Sequence, residues 1–269
     1  TIGTARVLGP DVSSWSVGGL RLGVAAVALV VVAGWLDGHV PFRSLLLRRE
    51  SLLAGAGQAA FQVTFLTAVQ LTGVAVGTLV AIGSAPLVTG LLTRAMSRRW
   101  LLSTGLGLVG LALLVTGSAE GLSAAGVVLA AGAGVSYAVY TTASSRLAVE
   151  APPASVTAAG FVVAAALLAP ALLVTDNAWV TEPSGIALLA YLALAATVLA
   201  YLLFVRGLRT VPAATAQTLG LTEPVVATLL ATMLLDERLS VTGVVGASLV
   251  GLALLLLARS AAPRRRPKR

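Results

Sequence analysis

The sequence predicts an all-α, polytopic transmembrane helix bundle. Three observations carry that expectation: an apolar composition, long uncharged runs, and a segment that recurs with its charges reversed. Of 269 residues 58% are hydrophobic and 10% charged, and the mean hydropathy is +0.97. A soluble domain usually carries about 25% charged residues, so this inventory cannot cover a water-exposed surface. The 28 glycines fit helices that pack closely in lipid, where small residues let backbones approach. The same composition excludes a disordered chain.

A spanning helix needs about 20 mostly apolar residues. Windows of that kind fall at roughly 14–36, 51–71, 73–95, 101–117, 123–143, 154–174, 184–205, 212–235 and 241–258. The opening stretch T-I-G-T-A-R-V-L-G-P lacks a basic start followed by an apolar core, so it is not read as a signal peptide. It is too short to span and is expected to be the end of a truncated first helix, which brings the total to ten.

Charge placement predicts the topology, because short cytoplasmic loops retain Lys and Arg. With the C-terminus in the cytoplasm, every basic residue except Arg6, Arg21 and Arg238 falls on the inside. Asp11, Glu120, Asp176, Glu182, Asp236 and Glu237 fall on the outside. Both termini are therefore expected in the cytoplasm, and the protein in the cytoplasmic (plasma or inner) membrane. The basic tail at 260–269 is expected to anchor the last helix at lipid headgroups, not to bind nucleic acid.

An internal repeat fixes the expected architecture. Pro86 in S-A-P-L-V-T-G-L-L matches Pro224 in T-E-P-V-V-A-T-L-L, and the run L-V-G-L-A-L-L occurs at Leu108–Leu114 and at Leu249–Leu255. The offset grows from 138 to 141 residues between the two landmarks, which puts the difference in the loop between them. That loop is basic in the first copy (Arg94, Arg98, Arg99) and carries Asp236, Glu237 and Arg238 in the second. The copies therefore face opposite sides. Two inverted five-helix repeats are expected, at 1–119 and 120–259. Inverted repeats are common in secondary transporters, which bind their solute near the midplane.

At this point the residues are similar to a known family. The segments G-T-A-R-V-L-G-P, G-G-L-R-L, V-A-I-G-S-A-P-L, S-Y-A-V-Y-T-T-A-S and L-T-E-P-V-V-A-T-L-L with L-D-E-R-L-S resemble EamA-type members of the drug/metabolite transporter superfamily, over essentially the whole chain. The first repeat departs from the usual pattern, with S-R-R-W where an acidic-basic pair is common. The resemblance implies secondary transport of a small polar metabolite by alternating access, often outward movement of an amino acid or related compound. Drug-like cation export, a lipid-linked carrier or flippase, and a non-transporting scaffold remain as alternatives.

Candidate site residues are the polar groups inside spans. Glu223 lies about halfway along its window and is the one acidic residue so placed, and an ionisable group at that depth marks function by default. It is the candidate for proton coupling or for binding a substrate ammonium. Gln58, Gln62, Ser84, Tyr137, Tyr140, Gln217 and Thr222 are expected to line a midplane cavity with it, because polar groups facing lipid would go unsatisfied. By the helical period Gln217 and Glu223 lie about 120° apart, so one cavity serves both only if it is broad. Pro86 and Pro224 are candidate kink or gating positions.

Other features have plainer readings. Arg21 is expected to snorkel to the outer headgroups, with a partnership to Asp11 or Glu223 left open. Gly105, Gly107 and Gly110 spell a dinucleotide fingerprint, but inside a span they are expected to serve helix packing, as are Gly243, Ala247 and Gly251. The sole histidine, His39, is expected in a solvated loop, and cysteine is absent. No cofactor or metal site is expected, nor the acid-base constellation of an enzyme. Membrane lipids and a small-molecule substrate are the expected partners, and the oligomeric state does not follow from the sequence.

Overall fold

The computed structural model describes residues 13–38, 41–115, 123–226 and 240–261. The expectations for the first-helix stub, Asp11, His39, the Asp236-Glu237-Arg238 loop and the basic tail beyond residue 261 lie outside the described residues. Among the described residues the chain is helical and contains no strand. Helix α1 spans Ser14–Leu36, the short α2 Phe42–Leu46, α3 Arg49–Thr93, α4 Arg98–Val115, α5 Ala124–Ala148 and α6 Pro153–Leu172. After a 3-10 turn at Ala178–Thr181, α7 covers Pro183–Gly207 with a π-helical middle at Tyr191–Leu199. Helix α8 spans Ala213–Leu219, a further helical stretch occupies 222–226, and α9 spans Val241–Ala261.

Among the described residues, six helices are long and apolar enough to cross a membrane. Their outward side chains fit that solvent: Val27, Val31, Val128, Leu173, Val241 and Leu255 all lie exposed, which lipid tolerates and water does not. The chain is a multi-pass α-helical membrane protein.

Helix α3 is two crossings joined at one residue. Its 45 residues would extend about 68 Å if straight, more than twice a hydrocarbon core. Gly73, however, has φ 77 and ψ 163, a conformation that L side chains rarely adopt. Beyond it, a Cβ on Gly77 would sit 3.3 Å from the Cα of Val69, so the chain has doubled back on itself. The arms 49–72 and 74–93 form a helical hairpin.

Small residues set the closest crossings. A Cβ on Gly57 would meet the carbonyl oxygen of Ser136 at 2.7 Å and the amide of Tyr140 at 2.9 Å, so the first arm of α3 lies backbone to backbone against α5. Helices α4 and α9 meet in the same manner at Gly110 and Gly246, each of whose missing side chains would strike the other's carbonyl oxygen. Gly107 faces Ala253 and Leu114 faces Gly246, so residue numbers rise along α4 as they fall along α9. The two helices carrying the repeated L-V-G-L-A-L-L run are therefore antiparallel.

Helices α1 and α6 are antiparallel too. Gly19 faces Leu172, and Ser16 donates to Asn177 Oδ1 just beyond the end of α6 (2.6 Å). At the opposite end Asp37 accepts hydrogen bonds from the amide and hydroxyl of Ser155, both at 2.7 Å. A carboxylate in that place satisfies an orphan donor in the first turn of α6 and complements its dipole. Trp179 Nε1 donates to Ser16 Oγ (2.8 Å) and completes the tie at the other end.

The packing expectation for the glycines needs one correction. Gly110 and Gly107 pack as anticipated, whereas Gly105 and Gly251 have open space where a Cβ would stand. The buried face of α9 is Gly243, Gly246, Val250, Ala253 and Leu257. That alternation of three and four follows the 3.6-residue period, whereas the expected four-residue ridge Gly243, Ala247, Gly251 drifts around the helix.

Candidate functional site

Seven of the nine phenylalanines and tyrosines gather at one place in the bundle. Phe61 stacks on Phe65 at 5.2 Å and tilts against Tyr137 at 5.3 Å. Tyr140, Phe161, Tyr201 and Phe204 continue the group, with Phe161 and Tyr201 edge to face at 4.9 Å. These rings come from α3, α5, α6 and α7. The i, i+3 spacing of Tyr137 with Tyr140, and of Tyr201 with Phe204, puts each pair on one helix face.

Polar side chains sit in this aromatic wall. Gln58, fully buried, donates from Nε2 to Tyr201 Oη at 3.2 Å, and its own Oε1 has no partner. Gln62 accepts a hydrogen bond from Arg21 Nη2. Gln217 is buried and donates to Thr141 Oγ1 (2.6 Å), with the carbonyl oxygen of Tyr137 at 3.5 Å. Glu223 lies within electrostatic reach of the phenols of both Tyr137 and Tyr201.

Of the candidate residues, then, Gln58, Gln62, Tyr137, Tyr140, Gln217 and Glu223 come together. Ser84 and Thr222 do not take part in the same way. Ser84 Oγ donates to the carbonyl of Ala81 (3.3 Å) and packs where Gly134 of α5 leaves space. Thr222 donates to the carbonyl of Leu219 in its own turn. A hydroxyl spent on a carbonyl three residues back is common inside membranes and explains both placements.

Arg21 overturns its expected role. It does not snorkel outward. Its guanidinium reaches Gln62 across the bundle and interacts electrostatically with Tyr201, while Nε is buried without a partner. The reason is local: Gly18, one turn earlier on α1, leaves room for Gln62, since a Cβ there would meet Gln62 Nε2 at 2.5 Å. Among the described residues the ion pair in the structure is Arg48 with Glu150, far from Arg21 in sequence and at the opposite end of α3's first arm from Gly73.

The two prolines act differently. Pro224 lacks the N–H that Gly220 would otherwise bond, and the helix is interrupted by a turn at Gly220 and Leu221. Glu223 consequently lies in a new helical stretch after Gln217, and the about 120° separation of an unbroken helix does not apply. Pro86 lies buried in α3 with helix continuing on both sides, and the break in α3 is at Gly73 instead.

Sequence reasoning missed Tyr201. Its signal was present: a tyrosine at i, i+3 from Phe204 repeats the Tyr137–Tyr140 spacing. In the apolar window 184–205, nothing marked which face was inward.

Apolar exteriors around a polar, aromatic-walled centre define a polytopic α-helical membrane protein. The family model described as the EamA-like transporter family matches residues 124–259, just over half of the chain. The chain is also similar to "Uncharacterized transporter YwfM" of Bacillus subtilis (strain 168), 38% identical over 272 residues, with 98% of this chain and 90% of that protein covered. The chain belongs to the EamA-like transporter family and is a membrane transporter by that membership. A solved structure described as "Crystal structure of protein" has the same fold, at a TM-score of 0.80 and 20% identity over 97% of this chain and 92% of the other.

Proposed function

We propose that the protein is a secondary transporter that moves a small polar metabolite across the cytoplasmic membrane, in the export direction, by alternating access of two inverted repeats at 1–119 and 120–259. The observation that carries this reading is where the polar centre is assembled. Gln58 and Gln62 come from the first half, while Tyr137, Tyr140, Tyr201, Gln217 and Glu223 come from the second. A solute bound there touches both halves, so rocking one against the other exposes it to one side and then the other.

The antiparallel course of α4 with α9 and of α1 with α6 supports the inversion, because a parallel repeat would align the two L-V-G-L-A-L-L runs in one direction. The turn enforced at Gly220 by Pro224 supports Glu223 as the coupling residue. The residue's place inside a span near the Tyr137 and Tyr201 phenols suits it to carry a proton or hold a substrate ammonium group. The Asp37–Ser155 and Arg48–Glu150 links join the halves at the end assigned to the cytoplasm, and they would have to part when the site opens there.

The test is reconstitution of the full-length protein in liposomes with labelled amino acids, sugars and amine drugs at two pH gradients. Saturable flux of a polar metabolite that responds to the gradient in wild type but not in Glu223→Gln is expected. Flux of labelled lipid alone, or none at all, rejects the reading in favour of a flippase or a scaffold.

A further inference from the structure

We propose that Arg21 is the residue that recognises the transported solute, and that it does so by binding a carboxylate on it. The inference rests on the transport reading above and names the chemistry of its cargo. A guanidinium carries five N–H donors and keeps its charge at any accessible pH. Arg21 spends one of its nitrogens, Nη2, on the side-chain oxygen of Gln62. Its Nε is out of contact with any acceptor, and no carboxylate among the described residues lies within ion-pair distance of it. A charge held in an apolar span without a counter-ion is expensive, and the usual relief is a pairing partner.

The partner is not Glu223. Among the described residues the ion pair is Arg48 with Glu150, and Arg21 holds the neutral oxygen of Gln62 instead. Two more uncommitted groups lie at Gln58, one turn along α3 from Gln62, and at its partner Tyr201. Tyr201 accepts from Gln58 and so keeps its own O–H to donate, and Gln58 Oε1 is free to accept. Gln62 holds the guanidinium from the far side with a neutral oxygen, which orients it without cancelling its charge.

A single positive charge with an adjacent hydroxyl donor matches a monoanion. A planar carboxylate fits the fork of a guanidinium in two parallel hydrogen bonds, whereas a phosphate dianion would leave a charge unmatched. The rings of Tyr137, Tyr201 and Phe204 offer apolar surface for the rest of such a molecule. An amine without an acid group would meet Arg21 as a like charge and be repelled.

The experiment compares acids with their neutral isosteres. Proteoliposomes containing the full chain are assayed for saturable flux of labelled amino acids, phenylpropionate and lactate, each beside its primary amide. The same pairs, with chloride as an inorganic control, are tested for thermal stabilisation of the detergent-solubilised protein. Wild type should transport and be stabilised by at least one acid and prefer it to its amide by about thirtyfold or more in half-saturating concentration, the scale of a lost buried charge pair. Arg21→Gln should erase that preference, and Arg21→Lys should restore part of it. Should Arg21→Gln fail to fold, the acid-to-amide comparison in wild type still decides. Equal handling of acid and amide by a transporting wild type, or stabilisation by chloride equal to that by the best acid, overturns the inference and leaves transport standing. Saturable flux of none of the pairs, with no stabilisation by any acid, overturns it together with the transport reading.

Discussion

At the scale of single residues, the centre of the protein shows how a charge can be kept inside an apolar bundle. Gln62 meets Arg21 with a neutral oxygen, and Tyr137 and Tyr201 stand near Glu223 with phenol groups, so among the described residues neither charge is paired with an opposite one. Replacing Glu223 by Gln keeps the shape and removes the exchangeable proton. Flux driven by a pH gradient should fall at least tenfold in that variant while exchange without a gradient persists, as read from paired uptake measurements. Gln217→Leu tests a different point. It removes the hydrogen bond to Thr141, and membrane hydrogen bonds average only about 0.6 kcal/mol, so unfolding stability should drop by about 1 kcal/mol or less. The half-saturating solute concentration should move severalfold nonetheless if the side chain borders the proposed solute site. Arg21 was visible in the sequence as a charge inside a window, but its direction was not. The preference for snorkelling is generic, whereas the space that admits Gln62 comes from Gly18 once α1 and α3 have met.

Secondary-structure elements carry the geometry of the fold through a few backbone positions. Gly73 turns one helical run into a hairpin at a φ of 77, and a Cβ there is strained whatever space surrounds it. Gly73→Val should destabilise the folded protein by about 1–3 kcal/mol, measured by unfolding in mixed micelles, although no neighbour is close enough to clash. Gly110→Val acts by the opposite mechanism. Its backbone conformation is ordinary, but the added side chain strikes the backbone of α9 at Gly246 and Val250, and overpacking of that kind also costs about 1–3 kcal/mol. A compensating substitution on α9 cannot rescue it, because the obstacle is main chain. The span limits were legible in the sequence to within a few residues at most ends, since hydrophobic length leaves little choice in lipid. The turn at Gly220 and the π-helical middle of α7 were not, because they depend on where backbone hydrogen bonds fail or shift within an apolar run.

Across the whole molecule, α1 runs antiparallel to α6 and α4 to α9, each pair joining the two proposed halves. The proposed topology predicts which loops face which side. The chain has no cysteine, so introduced ones can be labelled without background. In right-side-out vesicles, Ser123→Cys, Thr175→Cys and Ser240→Cys should react with an impermeant maleimide, while Ser97→Cys and Thr210→Cys should react only after permeabilisation. Any swap between those two groups would contradict the assignment of the C-terminus to the cytoplasm. The links at Asp37–Ser155 and Arg48–Glu150 supply a further test of rocking. Asp37→Ala should shift the protein toward the cytoplasm-open arrangement, read as faster labelling of a Tyr140→Cys reporter from that side.

The sequence by itself determined that this chain lives in a membrane, roughly where its spans begin and end, and that one segment recurs with reversed flanking charge. Each of these follows from transfer free energy or loop charge, which act locally along the chain. Which polar side chains meet, which are spent on their own helix as Ser84 and Thr222 are, and that Arg21 turns inward were decided only by tertiary structure. In lipid a helix gains little from hiding apolar atoms, so hydrophobic pattern does not mark its inner face. Glycine crossings and aromatic packing between elements choose that face, and they exist only once the helices have come together.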